Sequence, residues 1–386
     1  MKFSILIPTR DRLELLRHAV ESVRLQEYSD WEVVVSDNAS SQDVAGYIAS
    51  RADERLRYSR TDKLIPVTDN WNLALERSTG DYIMMLGDDD ALLPSCLARA
   101  RRIAESWKLP DAIYTEALQF AYPRVIPDHP EAFIQTGYNE FFKNGAAEPF
   151  ALAPEVAERL VRQAMQFRIR YGFNMQHFII SRRLVETLRP KGPFFQSPYP
   201  DYYAANAILL AARSVVANPR PLVLIGISPK SFGFYYHNRR EREGVEFLQN
   251  IQSPEVWKRL RGKFVPGTNM NDSWLCAMET LALNFPERGD LKVNYRRYRL
   301  LQYQAALRQH SWRAFGTIIG HSKWWEWLLY GPVVAAYVLS YLLPAHPRAR
   351  AHEALRSSLS AYPRFDLRRR AVPYRDILEA ARAISS

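Results

Sequence analysis

Cysteine is almost absent: Cys96 and Cys276 are the only two in 386 residues. Two distant thiols build neither a disulfide framework nor a thiolate zinc site, and they suit a reducing compartment. Two glycine signatures are also missing. No Gly-x-Gly-x-x-Gly follows the first apolar run and no Walker A loop occurs, which argues against a dinucleotide oxidoreductase and a P-loop NTPase. Ahead of Phe3 there is neither a charged leader nor a small-residue cleavage site, so the N-terminus does not read as a secretory signal. The longest apolar stretch, Trp324–Leu343, contains Glu326 and is broken by Gly331-Pro332.

Basic charge is in excess, and it is local. The chain carries a net +11, but Tyr295–Ser386 alone holds 15 Lys and Arg against 5 Asp and Glu. The first 294 residues are therefore nearly neutral, and no nucleic-acid partner is expected of them. The tail also contains the tryptophan-led apolar stretch, so its charge reads better against anionic lipid headgroups. An interfacial or re-entrant segment is expected at 324–343, with a buried helical hairpin and a span as the alternatives. Arg348, Arg350, Arg364 and Arg368-Arg369-Arg370 would extend peripheral membrane contact over 324–370.

The first 115 residues alternate between two periodicities. Lys2–Pro8, Trp31–Ser36, Leu56–Ser59, Asp81–Leu86 and Asp111–Thr115 read as strands. Between them, Arg12–Gln26, Asp43–Ala52, Val67–Ser78 and the segment after Pro94 read as helices. This order predicts an α/β fold with a doubly wound, mostly parallel sheet. Ligands then belong at the carboxyl ends of the strands. The loops there are Thr9-Arg10-Asp11-Arg12, Asp37-Asn38-Ala39-Ser40 and Gly87-Asp88-Asp89-Asp90. Three successive carboxylates after an apolar strand call for a cation. Mg²⁺ or Mn²⁺ takes such oxygen ligands and leaves positions for phosphate oxygens. An acidic turn capping the next helix is the plainer reading of the same residues.

The chain resembles the family 2 glycosyltransferases of the GT-A fold, which use nucleotide-diphosphate sugars. The resemblance is carried by Phe3–Arg12, Val33–Ser40, Asn70-Trp71-Asn72, Gly80–Ile83 and Leu86–Asp90 with Pro94. It covers about 1–115 well and 170–240 loosely, and implies a Rossmann-like GT-A domain over 1–240. Within this, 1–115 would bind the nucleotide and 116–240 would form the acceptor side. The remainder, 241–386, is expected to be a helical, basic tail. By resemblance Pro8, Thr9 and Arg12 line the base pocket, Asp37 binds the base, and Asn72 faces the donor. An Asx-turn is the alternative for Asp37, and a helix-surface position for Asn72. Asp89 falls on the metal-binding aspartate, Asp88 lies beside it near the ribose and diphosphate, and Asp90 could serve in a shifted register. Gly87 stands where the family often has an aspartate.

The family's Glu-Asp motif corresponds to Pro200-Asp201, which makes Asp201 the expected base of an inverting transfer. An N-cap role ahead of a helix at Ala204–Ala212 is compatible with this. Glu116 and Glu140 are remote fallback bases. His237 is a candidate metal ligand, Arg239, Arg240 and Arg242 could steer the diphosphate, and Asn174, Gln176 and His177 could line the acceptor pocket. The segment Pro123–Glu158 reads as an irregular insert. Gln-x-x-Arg-Trp, the family's processive signature, is absent after Asp201, which implies single-sugar transfer to a glycan or lipid-linked acceptor. The expected location is the cytoplasmic face of a membrane. A nucleotidyltransferase would show a glycine-rich loop where Thr9-Arg10-Asp11-Arg12 stands. An inactive nucleotide-sugar-binding scaffold remains the alternative outside the enzyme class.

Overall fold

The computed structural model describes residues 1–126, 129–137, 139–142, 145–231, 254–309, 311–340, 342–344, 347 and 369–384. Its N-terminal part follows the expected alternation: β1 (Phe3–Thr9), α1 (Leu13–Arg24), β2 (Trp31–Asp37), α2 (Val44–Ser50), β3 (Leu56–Arg60), α3 (Val67–Glu76) and β4 (Tyr82–Met85). These four strands run parallel in the order β3-β2-β1-β4. Both faces of the sheet are covered, which is why the strands read as unbroken apolar runs. Ile5, Ile7, Val33 and Val35 face the layer of α1 and α2, while Leu6, Val34 and Met85 face the opposite core.

Beyond β4 the sheet becomes mixed. A two-residue strand, β5 (Ala91–Leu92), and α4 (Cys96–Ser106) lead to β6 (Ala112–Ala121). The strand expected at Asp111–Thr115 is thus longer, and β6 does not lie beside β4. β9 (Phe178–Ser181) inserts between them, antiparallel to both. Pro123–Glu158 is also more ordered than expected. It contains β7 (Phe133–Thr136), antiparallel to β6, β8 (Phe150–Ala151) and the start of α5 (Pro154–Met165).

After β9 come α6 (Arg182–Leu188) and α7 (Pro200–Ala211). The helix expected at Ala204 begins four residues earlier, with Pro200 in the first turn where its missing N–H is harmless. Every residue from Pro200 to Leu210 is buried, so α7 is a core helix without a solvent face. β10 (Val215–Ile227) then pairs parallel with β6 and antiparallel with β5.

Helices α8 (Pro254–Leu260), α9 (Asn269–Asn284) and α10 (Tyr295–Arg308) share one core with α5 and α7. Then α11 (Trp312–Gly320) and α12 (Glu326–Ser340) pack on α10. Among the described residues, no helix is long and apolar enough to cross a membrane. The chain then returns to the sheet: β11 (Arg370–Ala371) pairs with β7, and α13 (Ile377–Ile384) packs on α1 and β5. The region expected to be a tail is therefore part of the main body at both of its described ends.

Candidate active site

One cavity of about 430 Å³ opens at the carboxyl ends of β1 and β4, where the strand order reverses. Pro8, Thr9, Arg12, Asp88, Asp89, Asp90 and Asp201 all line it, as do Asn174, Gln176 and His177.

The three aspartates differ in what already engages them. Asp88 accepts from the Thr9 hydroxyl at 2.7 Å and pairs with Arg12 Nη1 at 3.0 Å. Arg12 also reaches the Lys230 carbonyl, tying the loop after β1 to the segment after β10. Asp90 is an internal knot. Its Oδ1 accepts from Gly226 N at 2.8 Å, and its Oδ2 accepts from Gly87 N and Gln176 Nε2, both at 2.7 Å. Asp89 is buried and accepts from the Ser228 hydroxyl at 2.7 Å. Burial, followed by the Asp88 charge, raises its pKa, and Arg12 only partly opposes this. Burial and the neighbouring Asp89 raise Asp90 as well.

Gly87 and Gly226 make this loop sterically possible. A Cβ on Gly87 would lie 2.5 Å from Asp90 Oδ2, so any side chain there would displace the Asp90 carboxylate. On Gly226 it would lie 1.9 Å from the Asp89 carbonyl, so β10 can approach the loop only without a side chain. Gly226 and Ser228 were not singled out in the sequence. Their partners lie nearly 140 residues upstream and no local pattern marks them.

Among the described residues, no group of three or more His, Cys, Asp or Glu side chains could hold a metal ion. The donor set nevertheless suits Mg²⁺ or Mn²⁺ in a nucleotide site, where one or two carboxylates act together with phosphate oxygens and water. A carboxylate whose pKa is raised by burial despite the nearby Arg12, as at Asp89, fits that role. Asp90, already saturated by three N–H donors, does not. His237, Arg239, Arg240 and Arg242 lie outside the described residues.

Asp37 and Asn72 do not line the cavity. The Asp37 carboxylate is fully buried and accepts from Ser40 N at 2.9 Å and Tyr58 Oη at 2.8 Å. This is the Asx-type turn, and the adjacent Asn38 is the residue that faces the cavity. Asn72 donates to the Phe195 carbonyl at 2.9 Å and accepts from Phe195 N at 3.0 Å, pinning α3 to the segment before α7.

Asp201 sits in the first turn of α7, inside the helix rather than ahead of it. Its Oδ1 accepts from Met175 N at 2.8 Å, and burial raises its pKa to about 7. Glu116, expected to be remote, lines the same cavity from β6, and burial raises it likewise to about 7. Glu140 instead pairs with Arg159 at 3.4 Å and does not line the cavity. His177 donates from Nδ1–H to the Thr115 carbonyl at 2.9 Å, stacks on Tyr114 at 5.4 Å, and is driven down to about 4 by burial. It is therefore neutral near pH 7. The Tyr171 hydroxyl and Gln176 Oε1 are buried at the cavity without a hydrogen-bond partner among the described residues. An arrangement of two carboxyls titrating near neutrality opposite an acidic, arginine-flanked loop can accept a proton at one end and hold a polyanion with a cation at the other.

The pattern of Glycosyl transferase family 2 matches residues 4–111. A GalNAc(5)-diNAcBac-PP-undecaprenol beta-1,3-glucosyltransferase of Campylobacter jejuni is 34% identical over 101 residues, covering 25% of this chain and 32% of that protein. A PGL/p-HBAD biosynthesis glycosyltransferase of Mycobacterium bovis is 31% identical over 121 residues, 30% of this chain and 46% of that one. The chain thus spans less than half the length of these curated relatives. S. aureus TarS (residues 1–349), solved in complex with UDP-GlcNAc, superposes with a TM-score of 0.49 at 16% identity, over 82% of this chain and 90% of that one. Residues 4–111, the part that carries the Asp88–Asp90 loop, are thus similar to glycosyl transferase family 2.

Proposed function

We propose that this chain transfers a single sugar from a nucleotide-diphosphate sugar to a hydroxyl of a glycan or lipid-linked acceptor, with inversion. The observation that carries this reading is the single cavity joining Asp88 and Asp89 to Asp201 and Glu116. In it the diphosphate lies over the loop after β4, within reach of Arg12, and the acceptor enters past Tyr171, Phe173 and Tyr199. The acceptor hydroxyl gives its proton to Asp201. Its oxygen bonds to the anomeric carbon on the face opposite the diphosphate. The bond from that carbon to the diphosphate oxygen breaks, and the nucleoside diphosphate leaves with the electron pair. A base whose pKa stands near 7 is poised for this at neutral pH.

Asp89, with Asp88, is the proposed holder of Mg²⁺ or Mn²⁺, which supplies positive charge to offset the diphosphate. Asp37 contributes to the base end of the site through the turn it holds at Ser40. The acceptor class is supported by the relatives' names, one of which specifies an undecaprenol diphosphate-linked glycan.

The test is a thermal-shift screen of UDP-, GDP- and dTDP-sugars with and without Mg²⁺ or Mn²⁺, followed by transfer assays with the donor that binds. A metal-dependent shift with one nucleotide class is expected. No stabilisation by any donor would overturn the reading.

A further inference from the structure

We propose that the outward face of α11 and α12 is a docking surface for the headgroup region of an anionic lipid bilayer. The two sides of α12 are built oppositely. Its inner side is anchored: Glu326 is buried and bonded to Arg299 of α10 (Nε to Oε2, 3.0 Å), and Trp327 packs edge-on against Tyr303 at 5.6 Å. Its outer side carries Leu328, Pro332, Ala335 and Leu339, with Trp324 just ahead and Leu342 just beyond. Steps of three and four residues align these positions in one ridge along the helix.

That ridge lies in water. Trp324 is 77% exposed, Leu328 71%, Leu339 59% and Leu342 81%. On a helix of a protein surrounded by water this face would be polar. Here no charged residue occurs between Trp327 and Leu343. Trp312 on the neighbouring α11 is another exposed apolar side chain, 65% exposed.

Charge decides what covers it. Arg313 on α11 and Lys323, next to Trp324, are exposed, and the sequence that follows, 344–368, adds five arginines against two acids. Basic residues flanking apolar ones, with tryptophan at the boundary, suit an anionic leaflet. A second copy meeting this face by two-fold symmetry would bring the like charges together. α12 has 15 residues, about 22 Å of helix, short of the roughly 30 Å hydrocarbon core, so it lies in the interface rather than across it. The inference extends the sequence expectation from a segment to a face with named side chains, and it does not depend on the reaction proposed above.

The experiment is flotation of the full chain with vesicles of phosphatidylcholine alone or mixed with phosphatidylglycerol, beside the triple variant Leu328→Ser/Leu339→Ser/Leu342→Ser. All three positions are exposed, and an unchanged melting temperature checks that the variant folds. Wild type is expected to float with the mixed vesicles, less so in high salt, and the variant to partition about tenfold less or worse. Failure of folded wild type to bind the mixed vesicles, or equal binding by the variant, overturns the proposal. A dimer in sedimentation velocity that the variant abolishes, without vesicle binding by either protein, would assign the face to a second copy and overturn it too. Vesicle binding with no donor response would sink only the proposed transfer.

Discussion

Two carboxyls face the acceptor end of the cavity, and their positions assign them different work. Asp201 is fixed by the Met175 N–H and the first turn of α7, whereas Glu116 extends from the middle of β6 and accepts from the adjacent Ala117 N at 3.0 Å. Asp201→Asn is expected to lower turnover by about 10²–10⁴-fold while leaving the donor-induced thermal shift intact. An unchanged rate would remove Asp201 as base. In the unmutated protein the rate should rise with pH through about 7 and then level off, because the base acts deprotonated. Glu116→Gln, at the cavity carboxyl not assigned the proton, should keep that limb and chiefly raise the acceptor KM. Loss of the limb in Glu116→Gln, and not in Asp201→Asn, would exchange the two roles.

Among the elements, β10 does the most for the site. Its Gly226 N–H and the Ser228 hydroxyl just beyond it bond Asp90 and Asp89. Gly226→Ala places a methyl where the Asp89 carbonyl stands, so β10 or the loop must shift. A stability loss of about 1–3 kcal/mol in denaturant titration is expected, with weaker donor binding. Equal donor affinity would show that the loop does not need this approach. None of this was legible beforehand, for a physical reason. β1, β2 and β4 announce themselves because burial on both faces requires apolar residues in sequence, and the loops at their ends follow directly. The support from β10, the insertion of β9 and the arrival of Glu116 at the cavity are set by pairings between residues roughly 60–140 positions apart. Asp37 and Asn72 mark the opposite case. Their motif positions are legible, but the bonds that turn Asp37 toward Ser40 and Tyr58 and Asn72 toward Phe195 are not.

Over the whole molecule, the site draws on stability rather than adding to it. Asp89, Asp90, Asp201 and Glu116 all have folded pKa values above their unfolded ones. Such groups stabilise the fold below their unfolded pKa and lose that contribution as pH rises through their folded values, about 7 for Asp201 and Glu116 and about 8 for Asp90. Buried His177 runs the other way between about 4 and 6.5, one group against four. The metal-free, donor-free chain should therefore melt at a lower temperature as pH is raised through 7, and donor with Mg²⁺ should flatten the decline. A melting temperature that climbs over this range would contradict the assigned burial. A second prediction concerns α13, whose Ile377 is buried against Ala91 and Leu93, directly after the three aspartates. Ile377→Ala should cost about 2–4 kcal/mol in chemical denaturation.

The docking of α13 on α1 and β5 also has a consequence in time. It joins elements about 285 to 350 residues apart, so the brace beside the aspartates forms only after all the intervening chain has been made. Contacts of such separation form slowly. A nascent chain can thus form the strands of its family-matching segment early and still lack this brace behind the aspartate loop, which arrives as a late event of synthesis.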